Sequence, residues 1–255
     1  MIKLKSDQDI KNLRIAGERL ATILAALKNA TQPGVSTADL NDLAEKMILD
    51  YSDIPSFLNY SNGSARPFPA AVCISVNQEI VHGIPNEPTK ILQEGDLVSY
   101  DLGVTHNGMV ADAAITVPVG KISEENKILL RATQECLDAG IKAAKLGGHI
   151  GDIGHAIAKV ADKYSLTIVE GLSGHGVGYD VHEDPFVPNV GKRGEGPQIK
   201  SGLVIAIEPM LTFGSAKIKL EKDAWTFSTK DGSNSAHFEH TIAITESGVE
   251  VLTKI

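Results

Sequence analysis

The dipeptide Asn107-Gly108 constrains the fold of this chain more than any other local feature. It separates two apolar, strand-like segments, DLVSYDLGV and MVADAAITV, and Asn-Gly between such segments is the strongest short signal for a two-residue type I′ hairpin. That turn pairs Gly103 with Asp112 and places Asp101 on the same face of the hairpin, two residues away. The two carboxylates then become diagonal neighbours, with Cβ atoms on the order of 7 Å apart.

Two neighbouring carboxylates on an apolar scaffold repel each other unless they share a proton or bind a cation. The segments around Asp101 and Asp112 are apolar enough for buried strands, which argues against simple solvation. The alternative interpretation is a pair of exposed acids on the polar face of an edge hairpin. A β-bulge near the turn would also separate the acids onto opposite faces. The local pattern leaves these interpretations open.

The second half of the chain contains a matching pattern. GDLVSYD ends at Asp101 and GLVIAIE ends at Glu208, while Asp112 leads into AAITV and Glu239 leads into HTIAIT. This echo hints at a duplicated α/β unit whose halves meet at a shared site. Between them, His175 lies in GHGVG, where the flanking glycines allow close backbone approach and leave the imidazole uncrowded.

Four carboxylates and one imidazole form a donor set with a chemical preference. Oxygen ligands with one nitrogen suit divalent Mn, Fe, Co or Zn better than metals that prefer thiolates. Four carboxylates are more than one zinc ion usually needs. They suit two ions roughly 3.5 to 4 Å apart that share bridging carboxylates.

The remaining pattern predicts an α/β chain with four helices. Apolar residues at steps of three and four predict a first helix capped by Ser6 and broken at Pro33-Gly34, and Ser36 or Thr37 can cap a second. A third helix begins near Ser123, and GDIGHAIAKVADKY forms a fourth. Residues 52–69 are rich in Ser, Asn, Gly and Pro, which indicates a surface loop. Strands are also predicted at AVCISVN and EIVHGI.

Composition excludes several classes of protein. Among 255 residues, no apolar run approaches the roughly 18 to 20 residues of a membrane helix, and the first residues lack a secretory signal. The two cysteines, Cys73 and Cys136, are too few for a disulfide framework or a zinc knuckle, and a buried thiol is the default interpretation of Cys73. A net charge of −8 disfavours general nucleic-acid binding. We therefore expect a soluble intracellular protein without membrane or sequence-specific nucleic-acid partners.

Five motifs, in their order and spacing, resemble one family: CISVNQEIVHGIP, SYDLGV with VADAAIT, GHGVGYDVHEDP, AIEPM and HFEHTIAIT. The chain is similar over nearly its whole length to the type I methionine aminopeptidases. The resemblance implies the pita-bread fold, an α/β (α+β) architecture in which a pseudo-symmetric duplicated unit forms a central curved antiparallel sheet with helices on its outer face. It further implies a single metallopeptidase catalytic domain over residues 1–255, monomeric and cytoplasmic.

The resemblance also implies roles for individual residues. The metal ligands would be Asp101, Asp112, His175, Glu208 and Glu239. Glu208 would also transfer protons in catalysis, and His82 and His182 would contact the substrate around the scissile bond. The methionine pocket would be lined by Phe68, Cys73 and Trp225. The backbone of Asn77 and Ser235 would hold one Na or K ion. Taken alone, each histidine would more often be a turn or surface residue, and Trp225 a packing residue.

The implied activity is removal of the initiator methionine from nascent proteins, with a small second residue preferred. Two divalent ions (Co, Mn, Fe or Zn) would activate water for attack on the peptide bond. Two alternatives remain: a proline-specific aminopeptidase or prolidase, which usually carries an additional N-terminal domain, and a non-catalytic binding module on the same fold. A small basic cluster suggests transient contact with the ribosome; it consists of Lys217, Lys219, Lys222 and Lys230.

Some positions depart from the usual family pattern. They are Leu172, Val110-Ala111, Val181 and the segment SNGSARPFP. None of them is an implied metal ligand, so the departures concern the shape and selectivity of the substrate pocket. Only 26 positions separate His182 from Glu208, which fits type I because the type II subfamily has a long insertion there.

Overall fold

A computed structural model describes residues 1–61, 63 and 66–254. The helices are α1 (Asp7–Ala30), α2 (Thr37–Asp50), α3 (Glu124–Ala143) and α4 (Ile150–Tyr164). The side chains of Ser6, Ser36 and Ser123 each accept a hydrogen bond from the backbone N–H three residues later, which satisfies one otherwise unpaired donor of the first turn. The predicted helix starts are confirmed, with Ser36 rather than Thr37 as the second cap. No helix in these described ranges has the length and apolar character to span a bilayer.

The strands of the described ranges are short except at the predicted hairpin. They are β1 (Ile54–Pro55), β2 (Cys73–Val76), β3 (Glu79–Val81), β4 (Leu97–His106), β5 (Met109–Pro118), β6 (Thr167–Ile168), β7 (Gly174–Gly176), β8 (Glu183–Val187), β9 (Val204–Ile207), β10 (Met210–Thr212), β11 (Ile218–Leu220), β12 (Phe227–Thr229), β13 (Ser235–His237), β14 (His240–Thr245) and β15 (Gly248–Val251). Their pairing is antiparallel throughout. Hydrogen bonding divides them into four sheets, of which the largest has the order β15-β14-β9-β7-β8.

The hairpin of β4 and β5 has the predicted register. Gly103 faces Asp112 and the ladder runs without a bulge to the turn, where Asn107 and Gly108 both have positive φ angles, 48° and 76°. Strand β4 also pairs with β1 and β2, so the hairpin is not an exposed edge. Asp101 and Asp112 therefore lie on one face of buried strands.

Alternation of side chains decides which face of the hairpin is polar. In β4, Val98, Tyr100, Leu102 and Val104 pack with α1 and α2 in one apolar core, and the residues between them point the other way because side chains alternate along a strand. Asp101 and Gly103 lie on that second face. A Cβ at Gly103 would lie 2.9 Å from both Ser56 and Phe57, so only glycine fits between the two acids.

The second half repeats this arrangement. Strands β9 and β14 pair with Ile207 opposite His240, and the same register places Glu208 opposite Glu239 just beyond the ladder. Helices α3 and α4 cover the apolar face of these strands. The two halves meet where the Asp112 N–H donates to Thr241 Oγ1 (2.9 Å) and the Glu239 N–H donates to the Ala114 carbonyl (2.8 Å). The acids of both halves thus converge at one junction.

The prediction of a plain surface loop over residues 52–69 is wrong in part. Ile54–Pro55 forms β1, and the side chains of Phe57 and Phe68 are only 7% and 2% exposed. The Ser, Asn, Gly and Pro content suggested solvent exposure, but the aromatic residues among them return the chain to the core. Residues 62, 64 and 65, within the unusual SNGSARPFP segment, lie outside the described residues.

Candidate metal centre

Five side chains that lie in strands or directly next to them line one cavity of about 180 Å³. They are the five predicted ligands, Asp101, Asp112, His175, Glu208 and Glu239. One ligand atom each from Asp112, His175 and Glu239 lie within 4.8 Å of one another. Asp101 is on the neighbouring strand of the hairpin, two residues from Gly103, which faces Asp112, and it lines the same cavity. The structure therefore brings the four acids and the imidazole together, as the resemblance implies.

The imidazole of His175 is oriented by its own backbone surroundings. Its Nδ1–H donates to the Gly176 carbonyl at 2.9 Å, and because a carbonyl can only accept, this hydrogen bond fixes the tautomer. Nε2 is left with a lone pair, 3.5 Å from Glu208 Oε1 and 3.9 Å from Asp112 Oδ2. Burial lowers the pKa of His175 to about 3, so the ring is neutral near pH 7. A neutral, oriented Nε2 is the form that binds a metal.

The protein supplies little positive charge to balance the four carboxylates. Asp112 and Glu239 are 3% and 2% exposed, and no Lys or Arg occurs among the described residues that line the cavity. Burial raises the pKa of Asp101 to about 7. Burial also raises the pKa values of Asp112, Glu208 and Glu239 well above their usual range, with further contributions from neighbouring acids at Asp112 and Glu239.

Unpartnered oxygen atoms provide the test of whether these residues fit divalent ions. Asp101 Oδ1, Asp112 Oδ1 and Glu239 Oε1 are buried without a hydrogen bond, and each such atom costs about 1–3 kcal/mol. Native interiors satisfy nearly all buried polar atoms, so each exception requires an explanation. Divalent cations would supply the missing partners and the missing positive charge. The donor set fits them.

We expect the affinity for Mn²⁺ to rise between pH 5.5 and pH 8. The raised pKa values mean that the metal-free carboxyl groups hold protons over this range, and a cation must displace them, whereas His175 is already neutral. Calorimetric titration in buffers of different ionisation enthalpy should therefore show proton release on binding. Affinity that is constant with pH, or proton uptake, would contradict this account of the site.

The two further predicted histidines lie around the same cavity. His82 follows β3, with its ring 6.0 Å from that of Trp225 and its Nδ1 buried without a partner. The ring of His182 lies 4.3 Å from that of His175. Burial lowers the pKa values of both, to about 4 for His82. Both line the cavity that contains the five predicted ligands.

The predicted pocket residues form an apolar wall on one side of the cavity. Phe68 and Trp225 meet edge to face at 5.3 Å, and the Trp225 indole N–H donates to the Arg66 carbonyl at 3.1 Å. Cys73 is buried and also forms part of this wall. It lies opposite Asp101 in the β2–β4 ladder. Leu172, one of the departures from the family pattern, also contacts the cavity.

Sequence reasoning missed two residues of the site. Tyr60 lines the cavity, and its hydroxyl lies 2.6 Å from His182 Nδ1. His237 is fully buried, with Nε2 3.3 Å from Glu208 Oε2. The available signal for His237 was strand alternation, which places it on the same face as Glu239 two residues later. Tyr60 was hidden in a segment interpreted as solvent-exposed.

Asn77 and Ser235 lie together and are not among the described residues that line the cavity. The backbone N–H of Ser235 donates to the Asn77 carbonyl at 2.9 Å, and the Ser235 hydroxyl donates to the same carbonyl at 3.2 Å. This pairing joins β13 to the turn after β2. A monovalent cation at these backbones stays a prediction.

Comparison with known proteins also indicates a metal-dependent peptidase. Residues 11–246 match the model of metallopeptidase family M24. Methionine aminopeptidase 1 of Bacillus subtilis is 44% identical over 255 residues, covering 100% of both chains, and the methionine aminopeptidase of Clostridium acetobutylicum is 43% identical over 99% of both.

The solved structures give the same result for the fold. The crystal structure of methionine aminopeptidase from Thermotoga maritima superposes with a TM-score of 0.95 at 39% identity, covering 100% of both chains. A prolidase from Pyrococcus furiosus shares the fold alone, with a TM-score of 0.77 at 22% identity over 65% of that chain. This is the pita-bread fold. The chain therefore belongs to metallopeptidase family M24, among the type I methionine aminopeptidases, and is a metal-dependent aminopeptidase.

Proposed function

We propose that this protein removes the initiator methionine from newly made proteins by attack of water on the first peptide bond, using two divalent ions held by Asp101, Asp112, His175, Glu208 and Glu239. The observation that carries the proposal is the convergence of these donors, with unpartnered buried oxygens, beside an apolar wall. The names of the relatives support methionine as the residue removed. When bound, such ions lower the pKa of water and polarise a carbonyl group.

The chain's own residues supply the proton transfers. Asp112 and Glu239, together with Asp101 and His175, would hold the ions. Burial raises the pKa of Glu208, which makes its ionised form a stronger base. Once ionised, as bound divalent ions would favour, Glu208 would accept a proton from the attacking water and return it to the departing amine. One Glu208 oxygen lies 3.5 Å from His175 Nε2, and the other lies 3.3 Å from His237 Nε2.

His182 is suited to hold the substrate carbonyl. If the Tyr60 hydroxyl donates to Nδ1 of His182, the ring carries its proton on Nε2 and can donate it to a carbonyl oxygen. A donor aimed at the developing oxyanion typically contributes 10²–10³-fold in kcat. The pocket residues Phe68, Cys73 and Trp225 would bind the methionine side chain, because a polarisable thioether makes favourable contacts with aromatic rings.

A free α-amino group distinguishes a chain end from an internal peptide segment. This group would bind at the ion that Asp101 helps to hold, because an amine, unlike a peptide nitrogen, has a lone pair available for a divalent ion. We therefore expect the protein to cleave at chain ends rather than at internal bonds.

A peptide panel tests the function directly. We expect rapid release of methionine from Met-Ala-Ser, at least about 10-fold slower release from Met-Leu-Ser because a narrow second subsite favours small residues, and no activity on an Ala-Pro dipeptide. Activity should disappear with chelator and return with added Mn²⁺. A preference for the Xaa-Pro peptide would favour the prolidase alternative, and metal binding without cleavage of any peptide would favour the non-catalytic module.

Because its proposed substrates are nascent chains, we expect this protein to act in the cytoplasm, near the ribosome. The lysine cluster lies on and around the β11–β12 hairpin, where Lys219 pairs with Glu221 at 2.9 Å. If this hairpin contacts the ribosome, neutralising Lys217, Lys222 and Lys230 should weaken co-sedimentation with ribosomes.

A further inference from the structure

We propose that Lys5 is a positioning residue for His182, acting through a buried ion pair with Glu183. The inference rests on the proposed function, in which His182 binds the substrate carbonyl. Residues 178–183 are called here the His182 loop, and residues 1–6 the N-terminal segment. The two are far apart in the chain but are joined by charged contacts at the edge of the cavity.

The ion pair is short and sequestered from water. Lys5 Nζ lies 2.7 Å from Glu183 Oε2, and the two side chains are only 1% and 3% exposed. Lysine and glutamate are rarely buried unless they are paired, because each charge loses its hydration. Their burial therefore ties the N-terminal segment to the residue immediately after His182.

Glu183 in turn organises the backbone of the His182 loop. Its second oxygen, Oε1, accepts the N–H groups of Tyr179 (2.5 Å) and Asp180 (3.0 Å). The carboxylate thus closes the loop on one side and binds Lys5 on the other. Lys5 Nζ also lies 5.1 Å from the centre of the Tyr179 ring, a cation–π distance.

Strand β5, which carries Asp112, also contacts the His182 loop. The Val110 N–H, on β5 two residues before Asp112, donates to the Gly178 carbonyl at 2.7 Å. Gly178 has φ +143°, and a Cβ there would lie 2.4 Å from Lys5 Cε. The lysine side chain therefore passes directly against the loop, which is clamped between Lys5 and the strand that carries Asp112.

His182 depends on this clamp because its own side chain has few contacts. Among the described residues its one hydrogen-bond partner is Tyr60, at 2.6 Å. The position of the ring relative to His175 is therefore set mainly by the backbone of the loop. A displacement of about 1 Å at a reacting centre can cost about 100-fold in rate.

Lys3 provides a matched control on the same segment. It pairs with Asp180 of the same loop at 3.2 Å, but the two side chains are 55% and 65% exposed. Exposed ion pairs contribute little to stability.

Lys5→Met should lower kcat/KM on Met-Ala-Ser about 10- to 100-fold, mainly through kcat. Lys3→Met should stay within about twofold of wild type. Affinity for Mn²⁺ should be unchanged in both, since none of the five donors is altered.

The test is a double-mutant cycle between Lys5→Met and His182→Ala, with kcat, KM and Mn²⁺ affinity measured for each variant. We expect Lys5→Met to have no further effect once His182 is absent. Wild-type activity from Lys5→Met, or an equal loss with and without His182, would overturn the inference while leaving the proposed function intact. A wild-type enzyme that binds Mn²⁺ but does not cleave Met-Ala-Ser would overturn both the inference and the proposed function.

If Lys5→Met fails to fold, Glu183→Gln replaces it in the same cycle. The amide oxygen of the glutamine still accepts both loop N–H groups, while the charge is removed.

Discussion

Replacing Glu208 by alanine is expected to abolish turnover of Met-Ala-Ser, with kcat reduced by at least about 10³-fold. The change removes the group that we propose accepts and returns the proton, together with one metal donor. Steady-state kinetics at saturating Mn²⁺ measures the effect. Glu246→Ala, at an exposed position, is the matched control and should retain wild-type kinetics.

The fold should survive this substitution. The Glu208 side chain is 12% exposed and its pKa is raised by burial, so in the metal-free protein it costs desolvation energy and contributes little to stability. We expect the melting temperature of metal-free Glu208→Ala to equal or exceed that of wild type. Substantial retained activity in a folded variant would end the assignment of proton transfer to Glu208.

Replacing Asp112 by asparagine is expected to weaken Mn²⁺ binding by more than about 100-fold. Loss of a hydrogen bond to a metal ligand already costs about 10–100-fold in affinity, and here a ligand that we expect to contact both ions loses its charge. Asparagine has nearly the same shape, and the backbone bonds between Asp112 and Thr241 remain. Activity should fall in parallel with metal occupancy.

Calorimetric titration separates this effect from misfolding. The exposed Asp162→Asn substitution on α4 is the control and should bind Mn²⁺ like wild type. An Asp112→Asn protein that folds and binds two ions with wild-type affinity would show that the metal site has been assigned to the wrong residues.

Local geometry predicted the hairpin half of the site. Two-residue turns set the register of the strands that they join, so Asn107-Gly108 predicted Asp101 and Asp112 on one face unless a bulge intervened. Apolar strand content favoured burial of this face but left an exposed edge hairpin as the alternative. These predictions needed no information beyond about 20 neighbouring residues.

The other half of the site could not be derived in this way. Nothing local specifies that His175, Glu208 and Glu239 approach Asp112, because their pairing joins strands separated by long stretches of chain. The internal echo only hinted at it, and the resemblance supplied the ligand set. Two side chains that are far apart in the sequence but paired in the fold, such as Lys5 and Glu183, leave no periodic pattern in the sequence.

The loop that carries Tyr60 shows a different limit. Turn-forming residues correctly indicated irregular backbone over 56–61 and 66–69, but irregular backbone can still be buried when aromatic side chains anchor it. Phe57 and Phe68 do so here. Part of the cavity wall is therefore contributed by a segment whose composition alone resembles a solvent-exposed connection.

Anomalous diffraction from crystals soaked in Mn²⁺ tests the central claim most directly. We expect two peaks within the cavity, both contacted by Asp112 and Glu239, one of them by His175 and Glu208 and the other by Asp101. A single peak, or manganese bound only outside these five side chains, would contradict the two-metal site.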